Sequence, residues 1–582
     1  MSRLLPHAAP VSCTAVSPGD HVLASGSYDR RILLWDFCTG AILRELRGHT
    51  GLINGLDWSP DGQWLASAGS DYSVRIWHTL TGHEQLCLRG HRDDVNAVRW
   101  SPDGERLASG SFDGTVRVWR RDGTCTLIAA HHAGDVNSVA WFPKGDRLAA
   151  ASDDGRVSIF EAEDGRIRRM LTGHSDWVDQ VAIHPDGLVI ASAGLDRTAR
   201  IWNASSGREL ACLDAASCVV KAVTWSADGR TLAVSSYDGA IRLYENGSFR
   251  LLRTLRAEGL WNRTLQLTSH GVVTGSFGGG PVLLGPEGLR RFGPAQTAGL
   301  NALTIAPDGE SGVVCSDDGR LYEVDLERRK VSRVLGEHHA AVLCAAYSPD
   351  ARLVASGSWD RTLRVWELRT GRCIAEWPGL GDPVNAVVFD ASGREVWIGT
   401  FNGQVLSWEL ESGQHKLHGS HHGSIKTMDR RGDTIVSGGR DGRVHRWRGP
   451  NACDFAAGSS IVNGVALDPR AERIATVSRR GGAQVWRAHG ERLAAFANHP
   501  CSAKAVAWSE DGDRVAAVYY DGSLLLWDPD TGRAALEQIS DVSLSQVRFT
   551  GRRLWIASWD ARGTLLSIDP QSGSREELRV AA

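Results

Sequence analysis

Histidine, serine, aspartate and tryptophan recur in this chain at fixed distances. In five places a His precedes an Asp by 22 residues, with a Ser four residues before the Asp and a Trp six after it. These sets are His7–Ser25–Asp29–Trp35, His49–Ser67–Asp71–Trp77, His91–Ser109–Asp113–Trp119, His174–Ser192–Asp196–Trp202 and His338–Ser356–Asp360–Trp366. A sixth, His421–Ser437–Asp441–Trp447, has a shorter loop. A hydroxyl, an imidazole and a carboxylate are the parts of a nucleophilic triad. The pairs His131/His132, His338/His339 and His421/His422 offer imidazoles to a metal. Asp153, Asp154, Asp176 and Asp179 come nearest to a cluster of acids.

Catalysis calls for one constellation, whereas a constellation repeated six times at one spacing describes a structural part. The His pairs fall at corresponding points of separate copies, too scattered for a closed ligand set. No P-loop, GxSxG, HExxH or dinucleotide fingerprint is present. The expectation is therefore no catalytic residue, no metal and no cofactor.

The repeat extends beyond the complete sets. Aligned on the acid of "LASGSFDGTVRVW" (Asp113), copies stand at Asp29, Asp71, Asp154, Asp196, Asp238, Asp318, Asp360, Asn402, Asp441, Arg480, Asp521 and Asp560, with a worn copy at Gly278. Each copy reads as four short strands: an alternating run such as "VNAVRW", an "SPDG" turn, "RLASGS", a tight Asp-Gly turn, "TVRVW", and a last strand after another Gly turn. Alternation of period two with Asp and Gly at the turns predicts antiparallel sheet. A sheet of this size cannot cover both faces alone, but copies stacked around an axis cover each other.

The chain resembles the WD-repeat family on these motifs: "RGH" at 47–49 and 89–91, "TGH" at 172–174, and "LLWD" at 33–36 and 525–528. The resemblance implies an all-β fold of fourteen four-stranded blades in two seven-bladed WD-repeat β-propellers, over 1–293 and 294–582. It also implies that each His–Ser–Asp–Trp set is a hydrogen-bonded fastener within its blade. Whether residues 2–5 or "SREELRV" near the C-terminus complete a last blade stays open at this point.

Composition agrees with an ordinary globular class: 42% hydrophobic, 23% charged and a net charge of -3. That balance gives no general attraction to nucleic acid or to an acidic membrane surface. The first residues, "MSRLLPHAAPVSC", lack the apolar core of a secretory signal, and no apolar run reaches the roughly 18 residues of a membrane span. Eleven cysteines, an odd number without a CxxC pair, predict reduced thiols and a cytoplasmic setting. Only six of the 65 cationic residues are Lys, which points to a GC-rich, bacterial genome.

Function must then lie on the surface. In the resembled family the residue before each turn acid projects onto the top face. These residues include Tyr28, Phe112, Tyr237 and Phe277 in the first half, and Trp359, Phe401, Arg440, Tyr520 and Trp559 in the second. Trp177 adds an anchor beside Asp176 and Asp179. Aromatics and Arg are the residues of binding hot spots. A second set at the start of each first strand, Asn54, Asn96, Asn137, Asp179 and Lys221 with Asn301, Asn385, Lys426, Asn463 and Lys504, is expected to line the channels. The expected function is a non-catalytic scaffold that holds partner proteins on its top faces, in a bacterial regulatory or defence assembly. No membrane, nucleic acid or small-molecule substrate is expected. The rival readings are a hydrolase-like site at a channel mouth and a nucleic-acid-binding propeller.

Overall fold

The computed structural model describes residues 5–580, apart from 215, 217–218, 257–260, 278, 293–298, 449–450, 459–460, 480–481, 497–498, 500, 552 and 561–562. Among the described residues the regular structure is all strand. No helix among them is long and apolar enough to cross a membrane.

The third sheet shows how the sequence builds a blade. Val95–Trp100, Arg106–Ser111, Val116–Arg120 and Cys125–Ala129 pair in that order, all antiparallel. The second strand, "RLASGS", is buried almost throughout, because neighbouring sheets cover both its faces. The fourth alternates toward solvent. The turn after Asp113 needs a left-handed residue, supplied by Gly114 at φ 78°. In the first, second, fifth and ninth blades Arg30, Tyr72, Arg197 and Arg361 take that conformation without being Gly.

Among the described residues there are fourteen sheets, and thirteen follow this plan. The seventh departs from it: its first strand is split into Trp261–Asn262 and Gln266–Thr268, both paired with Gly271–Phe277. The chain divides into two compact units, Met1–Gln296 and Thr297–Ala582. Apolar clusters fill the clefts between successive blades, and the tryptophan of the third strand seals the cleft toward the preceding blade. Trp77, for example, packs with Ile32, Leu34 and Leu46 of the first blade. Burying one such side chain removes about 200 Å² from water, worth roughly 5 kcal/mol before conformational entropy is subtracted.

Each unit closes on itself. In the first, Val16, Leu23, Trp35 and Phe37 pack with Val273, Leu283 and Phe292 of the seventh blade. In the second, Leu300, Val314 and Tyr322 pack with Trp555, Ala557 and Leu565 of the fourteenth. The result is two seven-bladed propellers. The fourth strand of the seventh blade is its own Gly288–Arg291, and that of the fourteenth is Arg575–Arg579. Residues 2–4 lie outside the described residues.

Candidate functional site

In the third blade, His91 Nδ1 stands 2.9 Å from Asp113, and its Nε2 is 2.8 Å from Ser109 Oγ. Trp119 Nε1 donates to the same hydroxyl at 2.9 Å. The partners dictate the proton positions: Nδ1–H donates to the carboxylate, and Nε2 accepts from Ser109. Five other sets repeat this geometry, with His–Asp contacts of 2.9–3.2 Å and His–Ser contacts of 2.7–2.8 Å. In each, the indole also reaches the serine. Burial alone would raise the Asp113 carboxyl, but the His91 imidazole, the Thr115 hydroxyl and the Arg92 amide outweigh it and hold it well below the usual range. Asp29, Asp71 and Asp360 are depressed in the same way. Every serine hydroxyl in these sets is already engaged by an imidazole and an indole inside a blade.

Two blades use the His–Asp spacing without the full set. His132 meets Asp154 at 2.9 Å and Ser158 at 2.8 Å, so a third-strand serine replaces the residue that is Ala150 here. His499 meets Asp521 at 3.2 Å and packs on Tyr519. In the sixth blade the Arg242 guanidinium pairs with the turn acid, 2.6 Å from Asp238. The 22-residue His–Asp spacing alone would have found the first two.

The first-strand asparagines are blade-to-blade links rather than simple channel lining. Each sits at a β-bulge, between Ile53 and Gly55, Val136 and Ser138, or Leu300 and Ala302, for example. The bulge re-aims the side chain. Asn54, Asn96 and Asn137 donate to the carbonyls of Val95, Asn137 and Val178 in the next blade at 3.0–3.2 Å. Asn301, Asn385 and Asn463 do the same to Val342, Ile425 and Ala503. Between the fifth and sixth blades the link is an ion pair, Lys221 to Asp179 at 2.7 Å. The acids read as an enzyme alternative thus have partners of their own: Asp179 this lysine, Asp154 His132, Asp153 the Asn137 amide, and Asp176 the Trp177 amide.

Among the residues before the turn acids, two pairs from neighbouring blades pack together in the second unit. Trp359 and Phe401, on neighbouring blades, pack at 5.3 Å between centroids, with Lys426 Nζ 5.5 Å over Phe401. Tyr520 and Trp559 pack at 5.8 Å, with Lys504 Nζ 4.9 Å over Trp559. In ring order the half-buried Arg440 and Arg479 fall between these pairs. Trp559 Nε1 donates to Asn301 Oδ1 at 3.0 Å, and Asn301 donates to Asp317 at 2.8 Å. Burial pushes the Asp317 carboxyl up to about 7, against the Asn301 amide, which opposes it. In the first unit Phe112, Trp177 and Tyr237 are half-buried. Tyr28 is buried, and its hydroxyl accepts from Arg263 at 2.6 Å across the ring closure. The Phe277 side chain lies outside the described residues.

The family described as WD domain, G-beta repeat matches residues 1–36, 40–78, 79–120, 123–161, 165–203, 207–245, 329–367 and 490–528, more than half of the chain. Periodic tryptophan protein 2 homolog of Schizosaccharomyces pombe is 25% identical over 129 residues, 22% of this chain and 15% of that protein. Autophagy-related protein 16 of Arabidopsis thaliana is 25% identical over 234 residues, 40% of this chain and 39% of that protein. Telomerase protein component 1 of Rattus norvegicus is 25% identical over 198 residues, 33% of this chain and 8% of that protein. The chain spans at most 39% of the length of these relatives. Repeat period, blade topology, the buried His–Ser–Asp–Trp sets and the family match converge: this chain belongs to the WD domain, G-beta repeat family.

Proposed function

We propose that the protein is a non-catalytic scaffold that holds partner proteins on the faces bearing the residues before the turn acids. The observation that carries this reading is the rim of the second unit. Two aromatic pairs, each with a lysine over a ring, flank two arginines there. Aromatic side chains give large contact area at low entropic cost, and Arg adds directed hydrogen bonds. Phe112, Trp177 and Tyr237 form the corresponding surface of the first unit. Two such surfaces in one chain raise the effective concentration of two partners, or grip one partner twice. One relative is named as a component of telomerase, which suits membership of an assembly. The arginine-dominated cations favour a bacterial regulatory or defence assembly, and the free thiols favour the cytoplasm.

The test is quantitative capture from the native host with the full chain as bait. Trp359→Ala and Phe112→Ala are compared with Leu252→Ala on an exposed outer strand. Loss of specific partners with the rim variants and retention with Leu252→Ala is the expected result. Equal recovery by all three baits overturns the reading.

A further inference from the structure

Several blades bring one more side chain to the turn acid, from the position four residues beyond it. Arg75, Arg200 and Arg242 approach Asp71, Asp196 and Asp238 at 3.4, 3.8 and 2.6 Å. Tyr322 donates to Asp318 at 2.6 Å. In the eleventh blade this position is His445. The corresponding residues in the other five complete sets are Leu33, Arg75, Arg117, Arg200 and Arg364. A guanidinium stays protonated and cannot ligate a metal, whereas a neutral imidazole can.

His445 is placed to do so. Its ring centroid lies 4.1 Å from that of His421. One ligand atom from each of His421, Asp441 and His445 lies within 4.8 Å of the others. His445 Nε2 is shut off from solvent and has no hydrogen-bond partner, a cost that an electrophile at this point would relieve. We infer that His421, Asp441 and His445 bind a divalent transition-metal ion, for which zinc is the matching probe.

Two nitrogens and one carboxylate oxygen are a zinc donor set. The outer supports are already built. Asp441 is held by the amides of His422 and Arg443 at 3.0 and 3.1 Å. His421 Nε2 faces Ser437 Oγ at 2.8 Å. On binding, the His421 proton moves from Nδ1 to Nε2: Nδ1 becomes the ligand and Nε2–H donates to Ser437, the outer hydrogen bond that metal-bound histidines generally make. Zinc bonds of about 2.0–2.1 Å separate tetrahedral ligands by roughly 3.3 Å, and His421 Nδ1 already stands 3.0 Å from Asp441 Oδ1, so it is mainly the His445 ring that moves on binding. The ion replaces one link of the fastener with coordination at the same place.

The experiment uses the full chain, stripped with a chelator and dialysed. Zinc is titrated by calorimetry, and cobalt(II) is followed by visible absorption. The wild type is expected to take up one ion per chain that His445→Arg does not, and to show a cobalt band that this variant lacks. His445→Arg installs the residue that four of the other complete sets carry, and His445→Gln serves as a second variant. Zinc affinity weakened by at least tenfold in every variant that folds supports the site. Unchanged stoichiometry and affinity in a folded variant, or no zinc uptake by the wild type, overturns it. X-ray absorption of the wild-type zinc complex supplies a reading independent of variants: two imidazole nitrogens are expected, and a shell without imidazole overturns the assignment.

Discussion

At the residue scale, a serine that resembles a nucleophile is an acceptor for an indole and a donor to an imidazole. Ser109→Ala leaves His91 Nε2 and Trp119 Nε1 buried without this partner. The expected loss is about 1–3 kcal/mol, read by urea denaturation of the full chain. Two kinds of carboxyl then give opposite responses to pH. Asp29, Asp71, Asp113 and Asp360 are depressed in the folded state, so their contribution is present above pH ~4 and is lost as pH falls below it. Asp317 is raised to about 7 by burial, so the folded chain retains a proton that the unfolded chain releases. Its contribution is complete below pH ~4 and is lost as pH rises through about 7. Asp317→Asn is expected to flatten the part of the stability profile lying between those values. Thermal unfolding midpoints at pH 5 and pH 8 check this: the drop on going to pH 8 should be smaller in the variant than in the wild type.

At the element scale, the blade was legible from alternation and turn residues, because each strand answers mainly to its own sequence. The inner strand was only half legible. Alternation placed Asn54, Asn96 and Asn137 toward the channel, but a bulge and the carbonyl of the next blade decide what they do. The same limit hid the hydroxyl of the fourth blade's fastener. Its hydroxyl comes from Ser158 on the adjacent strand, a substitution across strands that spacing along one strand cannot reveal. Asn137→Ala removes the amide link from the fourth blade to the fifth, together with the contact to Asp153. It is expected to cost about 1 kcal/mol. Amide exchange should quicken first in Val136–Trp141 and Val178–Ile183, while the second unit is unchanged.

At the scale of the whole molecule, closure is a matter of packing between the first and last blades of each unit. The closing clusters join Trp35 to Phe292 in one and Tyr322 to Trp555 in the other. Each unit thus completes its own ring with its own outer strand. Residues 1–293 and 294–582, expressed separately, are expected to give one cooperative unfolding transition each. Calorimetry reads this directly, and failure of either half to fold would count against domains drawn at that point. The candidate binding surface also belongs to this scale, since the Trp359–Phe401 and Tyr520–Trp559 pairs each join two blades.

The sequence alone determined the blade. Period-two alternation, Asp-Gly turns and a repeated His–Ser–Asp–Trp spacing are local properties, and they carried the all-β architecture, the number of copies and the structural reading of the acids. Tertiary structure alone decided which strand closes each ring, which asparagines bind a neighbouring blade, and that His445 stands beside His421. Those facts depend on residues brought together by stacking and pairing, and no spacing along a single strand encodes a distance across two.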